Sequence, residues 1–435
     1  MSDPVADLLA FVERSPTPFH AVAETCARLD AAGFSSLAEG DAWRLAPGDR
    51  RYVVRGGSSL LAFALGERPP AEVGFRVIGA HTDSPNLRLK PRPDLVAHGL
   101  RQLAVEPYGG LLLHTWLDRD LGLSGRLLVP GHAGGAPESL LVSLARPLLR
   151  IPSLAIHLQR ELATEGLKLN AQQHAVPVLG LEDAPALPEL LGAALRAAGR
   201  PDVAAQDVLG FDLMLHDVQP PSRGGARDEL LFAPRLDNLE SCHAAVSALV
   251  ASAEAGSAPH TRLVVLYDHE EVGSRSAVGA GGTFLRDGIA RCAGAFGAAP
   301  DALPRAAARS ILVSADMAHG VHPNYADRHE PGHRPVLGRG PVIKQNVGQS
   351  YATEGETAAR LTALCRRLGI APQHFVTRSD LPCGSTIGPI SAARAGLPAV
   401  DVGSPMLSMH SCREMAAASD VQPMIELLRL FLDDG

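Results

Sequence analysis

Apolar runs along the chain predict strands that end at ionisable residues. The run from Leu263 to Tyr267 is apolar and contains β-branched side chains, which predicts a buried strand. Four ionisable residues follow it directly: Asp268, His269, Glu270 and Glu271. In an open α/β sheet, ligands bind beyond the carboxyl ends of the strands. Two adjacent carboxylates at that edge could bind a cation and act on a water molecule, which is what metal-assisted hydrolysis requires.

Polar residues follow three further predicted strands in the same way. Glu72–Ala80 is followed by His81 and Asp83, Ser310–Ala315 by Asp316, and Pro398–Val402 by a turn that reaches His410. Asp237 precedes a helical pattern, and Ser411 with Glu414 forms a capping-box pattern that predicts a helix just after His410. Because these residues share one predicted edge of a sheet, we expect them to lie close together.

Helix and strand patterns alternate at both ends of the chain but not in its middle. Residues 94–230 contain short β-like segments separated by Gly- and Pro-rich turns, with few helix signals. We therefore predict an α/β fold with a doubly wound, mostly parallel sheet and helices on both faces, formed by residues 1–93 and 231–435. Residues 94–230 would form an inserted β-rich domain.

Charge and composition exclude several classes of protein. The 435 residues carry a formal net charge of −7 and contain no basic run, so we expect no nucleic-acid partner. There is no signal-peptide pattern at the start and no apolar stretch of membrane-spanning length, so we expect no membrane association. Six scattered cysteines without a secretory signal are typical of a reduced, cytoplasmic protein.

The candidate residues offer nitrogen and carboxylate oxygen ligands without thiolate. They are His81, Asp237, Glu270 with Glu271, Asp316 and His410. This set suits zinc in an open catalytic site, and manganese or cobalt could substitute for it. Two ions about 3.5 to 4 Å apart need one shared carboxylate and one or two further ligands each, which the set can supply. Taken singly, each histidine could be structural and Asp237 a helix cap, but their common location favours a metal site.

Seven motifs in order along the chain together resemble the aspartyl aminopeptidase family. They are His81–Pro85, Trp116–Arg126, Ile151–Leu158, Arg235–Asn238, Asp268–Ser274, Ala315–His319 and Met409–Ser411. The resemblance runs from about residue 15 to near the C-terminus. It implies a fold of the zinc exopeptidase type, and an inserted domain that serves in dimerisation. It also implies two zinc ions in each subunit and cleavage of Asp or Glu from the N-terminus of peptides.

The resemblance also implies a role for each matching residue. The metal ligands would be His81, Asp237, Glu271, Asp316 and His410, with Asp237 bridging the two ions. Glu270 would be the general base acting on a metal-bridging water, and Asp83 would assist catalysis by orienting His81.

Four residues match substrate contacts of the family: His157, His319, Lys344 and Tyr351. Lys344 would attract the acidic side chain, which the overall negative charge of the protein would otherwise repel. His157 would reach the active site of a neighbouring subunit, although its apolar neighbours alone would predict a core histidine. The resemblance implies dimers that assemble into a tetrahedral dodecamer.

Two alternatives to the aminopeptidase activity stay open. The metal ligands do not indicate which end of a peptide is held, so a related carboxypeptidase or deacylase has the same core. A catalytically silent metal-binding assembly protein is the second alternative. Glu270 argues against that alternative because a protein that only binds metal needs no base beside the ligands.

Overall fold

The computed structural model describes residues 3–131, 135–297 and 299–434 and divides into two compact units. The first unit comprises the residues up to 83, residues 221–409 and the residues from 414 onward. The second comprises residues 84–220 and 410–413. In the described part of the chain, no helix is both long and apolar enough to cross a membrane.

The helices and strands are numbered in chain order. The α-helices are α1 (Pro4–Arg14), α2 (Pro18–Ala31), α3 (Pro70–Val73), α4 (Leu162–Glu165), α5 (Ala171–His174), α6 (Leu187–Ala197), α7 (Leu236–Glu254), α8 (Phe284–Gly294), α9 (Ala302–Arg309), α10 (Gly355–Arg367), α11 (Ile387–Ala395) and α12 (Ala418–Asp433). The strands are β1 (Ser35–Leu37), β2 (Arg50–Arg55), β3 (Ser59–Ala64), β4 (Phe75–His81), β5 (Asn86–Ala97), β6 (Leu100–Tyr108), β7 (Leu121–Val129), β8 (Glu138–Leu149), β9 (Val178–Leu181), β10 (Gly210–Asp217), β11 (Ser222–Gly224), β12 (Leu230–Ala233), β13 (Thr261–Tyr267), β14 (Ile311–Ala315), β15 (Ala318–His319), β16 (Val342–Lys344), β17 (Gln373–Phe375), β18 (Ala399–Gly403), β19 (Pro405–Leu407) and β20 (Glu414–Ala417).

The first unit is built on a nine-stranded sheet in the order β1-β2-β3-β13-β4-β14-β18-β16-β17. Its four central strands β13, β4, β14 and β18 are parallel, whereas β3 and β16 run antiparallel to their central neighbours. Successive side chains of β13 enter two different cores, because side chains alternate between the faces of a sheet. Val264 and Leu266 pack with α1, α2, α7, α10 and α12, and Leu263 and Val265 pack with α8, α9 and α11. The predicted α/β class with helices on both faces of the sheet is confirmed.

The second unit contains a six-stranded antiparallel sheet in the order β8-β7-β10-β5-β6-β9. Helix α6 buries Leu187, Leu191 and Leu195, which recur every four residues and so lie on one face of the helix. These leucines join the same apolar core as strand residues of the sheet. The unit is therefore β-rich, and its role in dimerisation stays a prediction.

The second unit begins and ends about ten residues earlier than the 94–230 block that the sequence indicates. Strand β5 starts at Asn86 and pairs with β6 and β10, which places its first residues with the second unit. At the other end, β11 and β12 pair with each other, and β12 pairs with β20 of the first unit. Strand pairing thus sets both limits of the second unit. The composition of the turns alone does not reveal these limits.

The helix predicted just after His410 is wrong. Residues Glu414–Ala417 form strand β20, which pairs with β12 and β19, and helix α12 begins only at Ala418. The buried carboxylate of Glu414 accepts a hydrogen bond from the backbone N–H of Asp237 at 3.1 Å. Pairing with two neighbouring strands therefore overrides the local capping-box pattern.

Candidate metal centre and substrate pocket

The polar residues that follow β13, β4 and β14 emerge at one edge of the first unit's sheet. The parallel register places Tyr267 beside His81 and Gly79 beside Ser314, so the three strands end at nearly the same level. The segments that leave this edge carry Asp83, Glu270, Glu271 and Asp316, as expected for a ligand site in an α/β sheet.

A cluster of nitrogen and oxygen donors lies at this edge. One ligand atom from each of His81, Asp237 and Glu271 lies within 4.8 Å of the other two. His81 Nε2 is 3.5 Å from Asp237 Oδ1 and 3.8 Å from Asp316 Oδ1. The side chain of His81 is only 1% exposed, and Asp237 and Asp316 are also buried. An imidazole and several carboxylates without thiolate form a donor set that fits zinc in a catalytic site.

The start of α7 places Asp237 in the cluster. Asp237 and Asn238 have non-helical backbone angles, although both fall inside the range of this helix. The side-chain amide of Asn238 donates to the backbone carbonyl of Ala315 at 2.9 Å, and Glu414 accepts from the N–H of Asp237. These two hydrogen bonds attach the segment to β14 and β20, which fixes the position of the Asp237 carboxylate.

Asp83 connects His81 to the turn that carries the two glutamates. Its carboxylate accepts hydrogen bonds from the backbone N–H groups of Glu270 at 3.2 Å and Glu271 at 3.1 Å. Asp83 Oδ1 also lies 3.3 Å from Nδ1 of His81, whose Nε2 faces the other carboxylates. Asp83 therefore holds both the imidazole and the glutamate backbone in place, as residues behind metal ligands commonly do.

Burial and crowding of carboxylates perturb the protonation of the cluster. Burial raises the pKa of Glu270 to about 8, and the neighbouring carboxylates add to the shift. Burial and the charge of Asp237 raise the pKa of Glu271 well above its usual value. Burial opposes the protonation of His81, but hydrogen bonds to Asp237, Asp316 and Asp83 outweigh it and raise its pKa well above the usual value. So many acidic groups in one buried place favour a bound cation.

Three of the four predicted substrate contacts lie in the first unit, near Asp316. Lys344 is 2% exposed, and its Nζ donates to the carbonyl of Met317 at 3.0 Å and lies 3.5 Å from Asp316 Oδ2. The same Nζ is 5.2 Å from the ring centroid of Tyr351. Together these distances place a cation and an aromatic ring beside the metal cluster.

Phe375 joins this group, although no motif in the sequence singles it out. Its ring centroid lies 5.5 Å from that of His319 and 6.3 Å from that of Tyr351. Phe375 ends the short strand β17, which pairs with β16 so that Phe375 lies opposite Lys344. An apolar residue in a three-residue strand gives no signal that would distinguish it from an ordinary core residue.

His410 and His157 belong to the second unit. His410 is partly exposed, and its Nδ1 lies 3.1 Å from the carbonyl oxygen of Gly110. Its role as a metal ligand stays a prediction. His157 lies in a short 3₁₀ helix, Ile156–Leu158, and is exposed, so it is not the core histidine that its apolar neighbours suggested.

Comparisons with known proteins agree on one family. Residues 11–432 match the family model described as Aminopeptidase I zinc metalloprotease (M18). A probable M18 family aminopeptidase 2 from Streptomyces coelicolor is 47% identical over 427 residues, which cover 98% of this chain and 96% of that protein.

Solved structures show the same similarity. The cryo-EM structure of the Ape4 and Nbr1 complex contains a chain that is 38% identical, with a TM-score of 0.94, and the match covers 99% of this chain and 86% of that one. The S. cerevisiae mApe1 dodecamer is 32% identical, with a TM-score of 0.87, over 99% of this chain and 97% of that one.

Proposed function

The chain belongs to the M18 family of zinc metallo-aminopeptidases, and on that premise we propose that it removes N-terminal residues, preferentially Asp and Glu, from peptides. The observation that carries the proposal is the cluster of buried His81 and Asp237 with partly buried Glu271, beside Glu270 in the chain. A metal cluster with a spare carboxylate beside it is the arrangement that metal-assisted hydrolysis requires.

The ligands of the metal would come from five residues: His81, Asp237, Glu271, Asp316 and His410. We propose that together these residues would hold two zinc ions. When bound, zinc lowers the pKa of a water molecule towards neutrality and polarises the scissile carbonyl group. Asp83 would keep His81 oriented for this role through the contacts described above.

Glu270 would act as the general base. Its carboxylate would accept a proton from the attacking water and then donate that proton to the amine of the leaving peptide. The backbone N–H of Glu270 donates to Asp83, which fixes the start of its side chain relative to His81. Because Glu270 holds the proton between the two steps, an amide at this position would bind substrate without completing the reaction.

Lys344 supports the proposed preference for acidic residues. Its ammonium group is buried beside Asp316, where a nearby carboxylate of the substrate would meet a charge that water screens only weakly. Tyr351 and His319 would form the walls of this subsite, since both contact Phe375. A neutral first residue would fill the same space without the ionic contact.

We further propose that the protein assembles into large oligomers, as the S. cerevisiae mApe1 dodecamer does. Three apolar side chains around His157 are solvent-exposed in the single chain: Leu154 at 58%, Ile156 at 52% and Leu158 at 73%. An exposed apolar segment of this kind is typical of a protein interface. Contact with a neighbouring subunit would bury it and bring His157 to that subunit's active site.

The experiment that tests the function is hydrolysis of a small substrate panel by chelator-stripped protein before and after zinc is restored. The panel contains the anilides of Asp, Glu and Leu, N-acetyl-Asp-anilide, and a peptide with a blocked C-terminus. We expect zinc-dependent cleavage of the free-amine substrates and of the blocked peptide, fastest for Asp and Glu, with the acetylated substrate intact. Metal analysis of the restored protein should give two ions per chain.

The alternatives give different results in the same panel. Cleavage of the acetylated substrate would indicate a deacylase or carboxypeptidase. No cleavage with any metal would indicate the silent assembly protein. Equal rates for Asp and Leu anilides would retain the aminopeptidase and remove the acidic preference.

A further inference from the structure

A cleft of about 300 Å³ lies in the first unit and is lined in part by Phe375, whose ring lies 6.3 Å from that of Tyr351. We call it the His319 cleft, because it begins at His319 and is bounded by the loops that follow β15, β17 and β19. Its volume is at the lower end of the range for pockets that bind small ligands. Of the residues that line this cleft, the functions assigned above use only His319 and Phe375.

The lining of the cleft combines an apolar floor with a cationic rim. Phe375, Leu381 and Met406 supply apolar surface. Arg328 and Arg378 lie at the rim together with three histidines, whereas Glu330 is the one acidic residue among the described lining residues. The whole chain is acidic, with a formal net charge of −7, whereas two arginines face one carboxylate in the lining of this cleft.

Of the two arginines Arg328 is the more exposed, although its charge also acts on the carboxylate of Asp380. Arg378 contacts the carboxylate of Asp380 at two points, from Nε at 2.9 Å and from Nη2 at 2.6 Å. The carboxylate of Glu330 is held by its own loop, through His333 Nδ1 at 2.5 Å and the backbone N–H of Gly332 at 2.8 Å. Arg328 by contrast is exposed to solvent at the rim.

The position of the cleft relative to Lys344 suggests which part of a peptide it holds. Phe375 is common to the two places, since its ring lies 6.3 Å from that of Tyr351, which neighbours Lys344, and it also lines the cleft together with His319. Side chains of an extended peptide point alternately in opposite directions. If the first side chain points towards Lys344, the next one points away from it and needs a separate place, and the cleft adjoins the first place at His319 and Phe375.

We propose that the His319 cleft binds the residue that follows the scissile bond and that Arg328 favours a carboxylate on this residue. This inference rests on the proposed aminopeptidase function and adds a second determinant of specificity to it. The carboxylate could belong to an acidic side chain or to the free C-terminus of a dipeptide. An exposed arginine gives a modest, salt-dependent preference rather than an absolute requirement.

The test compares three substrates that share the N-terminal Asp and differ only in the second residue. Asp-Glu-amide carries a side-chain carboxylate, Asp-Gln-amide is its neutral counterpart, and Asp-Gln with a free C-terminus carries a terminal carboxylate. We expect kcat/KM to be about two- to fivefold higher for one or both carboxylate substrates than for Asp-Gln-amide, mostly through KM. The substrate that benefits identifies the source of the carboxylate.

Two arginine variants connect the preference to the cleft. Arg328→Gln should reduce the carboxylate preference to about onefold, and Arg328→Lys should retain part of it. Arg339→Gln is the matched control, because Arg339 is also exposed in the same loop region but does not line the cleft. The ratio between substrates stays informative even if a variant lowers the amount of folded enzyme.

The outcomes separate this proposal from the proposed function. If zinc-loaded wild-type protein cleaves none of the three peptides, the aminopeptidase function itself is wrong. If it cleaves all three with equal kcat/KM, or if Arg328→Gln keeps the wild-type ratio, the function stands and the role of Arg328 is wrong.

Discussion

The substitution Asp83→Asn tests whether the residue behind His81 controls the metal centre. The carboxylate of Asp83 accepts from the N–H groups of Glu270 and Glu271. Asparagine has the same shape but only one acceptor oxygen, so its NH₂ group must face one of these N–H donors. It also removes the negative charge 3.3 Å from Nδ1 of His81.

The size of the expected loss of zinc affinity follows from these contacts. Loss of one charge-assisted hydrogen bond at a buried site costs about 1.5 to 3 kcal/mol. Because this cost falls on the turn that carries Glu271 and on the orientation of His81, we expect zinc affinity to fall by about 10 to 100-fold. The activity of Asp83→Asn at a fixed low zinc concentration should fall accordingly, and excess zinc should restore part of it.

The assay is competition for zinc with a chelating dye, performed on wild type, Asp83→Asn and Asp183→Asn. Asp183 is exposed in the second unit and provides the matched control. Thermal unfolding of the stripped proteins checks that each variant is folded. A zinc affinity of Asp83→Asn equal to that of wild type would refute the role assigned to Asp83.

Two further predictions concern the buried residues Lys344 and Glu240. Lys344→Met should raise KM for Asp anilide by about tenfold or more relative to Leu anilide, because it removes the buried cation; equal changes for both substrates would exclude Lys344 from specificity. Burial and the charge of Asp420 raise the pKa of Glu240 to about 7 from 4.5. The carboxyl group of Glu240 has a higher pKa in the folded state than in the unfolded state. Its contribution to the free energy of unfolding is therefore full below pH 4.5 and is lost as the pH rises through 7. Glu240→Gln should therefore gain up to about 3 kcal/mol of unfolding free energy relative to wild type between pH 4.5 and 8. Urea unfolding at several pH values measures this, and parallel curves for the two proteins would contradict it.

The sequence contained strong information about the first unit. The α/β fold, the M18 family and the metallo-aminopeptidase class that the motifs predicted are confirmed. His81 and Asp316 could be located because each directly follows an apolar strand, and parallel strands bring such residues to one edge. The structure adds the distances that bring His81, Asp237 and Glu271 into one cluster.

Features that depend on pairing between distant segments of the chain could not be predicted from the local sequence pattern. Ser411 and Glu414 have the spacing of a capping box, but Glu414 lies in a strand because β12 and β19 supply its partners. No sequence pattern pointed to Arg328, because only the fold brings this exposed loop arginine into the lining of the His319 cleft. The apolar neighbours of His157 likewise predicted a buried core segment, but these neighbours are exposed to solvent.

The most direct test of the central claim is Glu270→Gln, measured by zinc content and kcat in the same sample. In the proposed mechanism, Glu270 moves a proton while His81, Asp237 and Glu271 hold the metal. We therefore expect the variant to retain the zinc content of wild type and to lose activity by about 10³-fold or more. If Glu270→Gln retains zinc and also cleaves Asp anilide within about tenfold of the wild-type rate, Glu270 is not the base and the proposed mechanism is wrong.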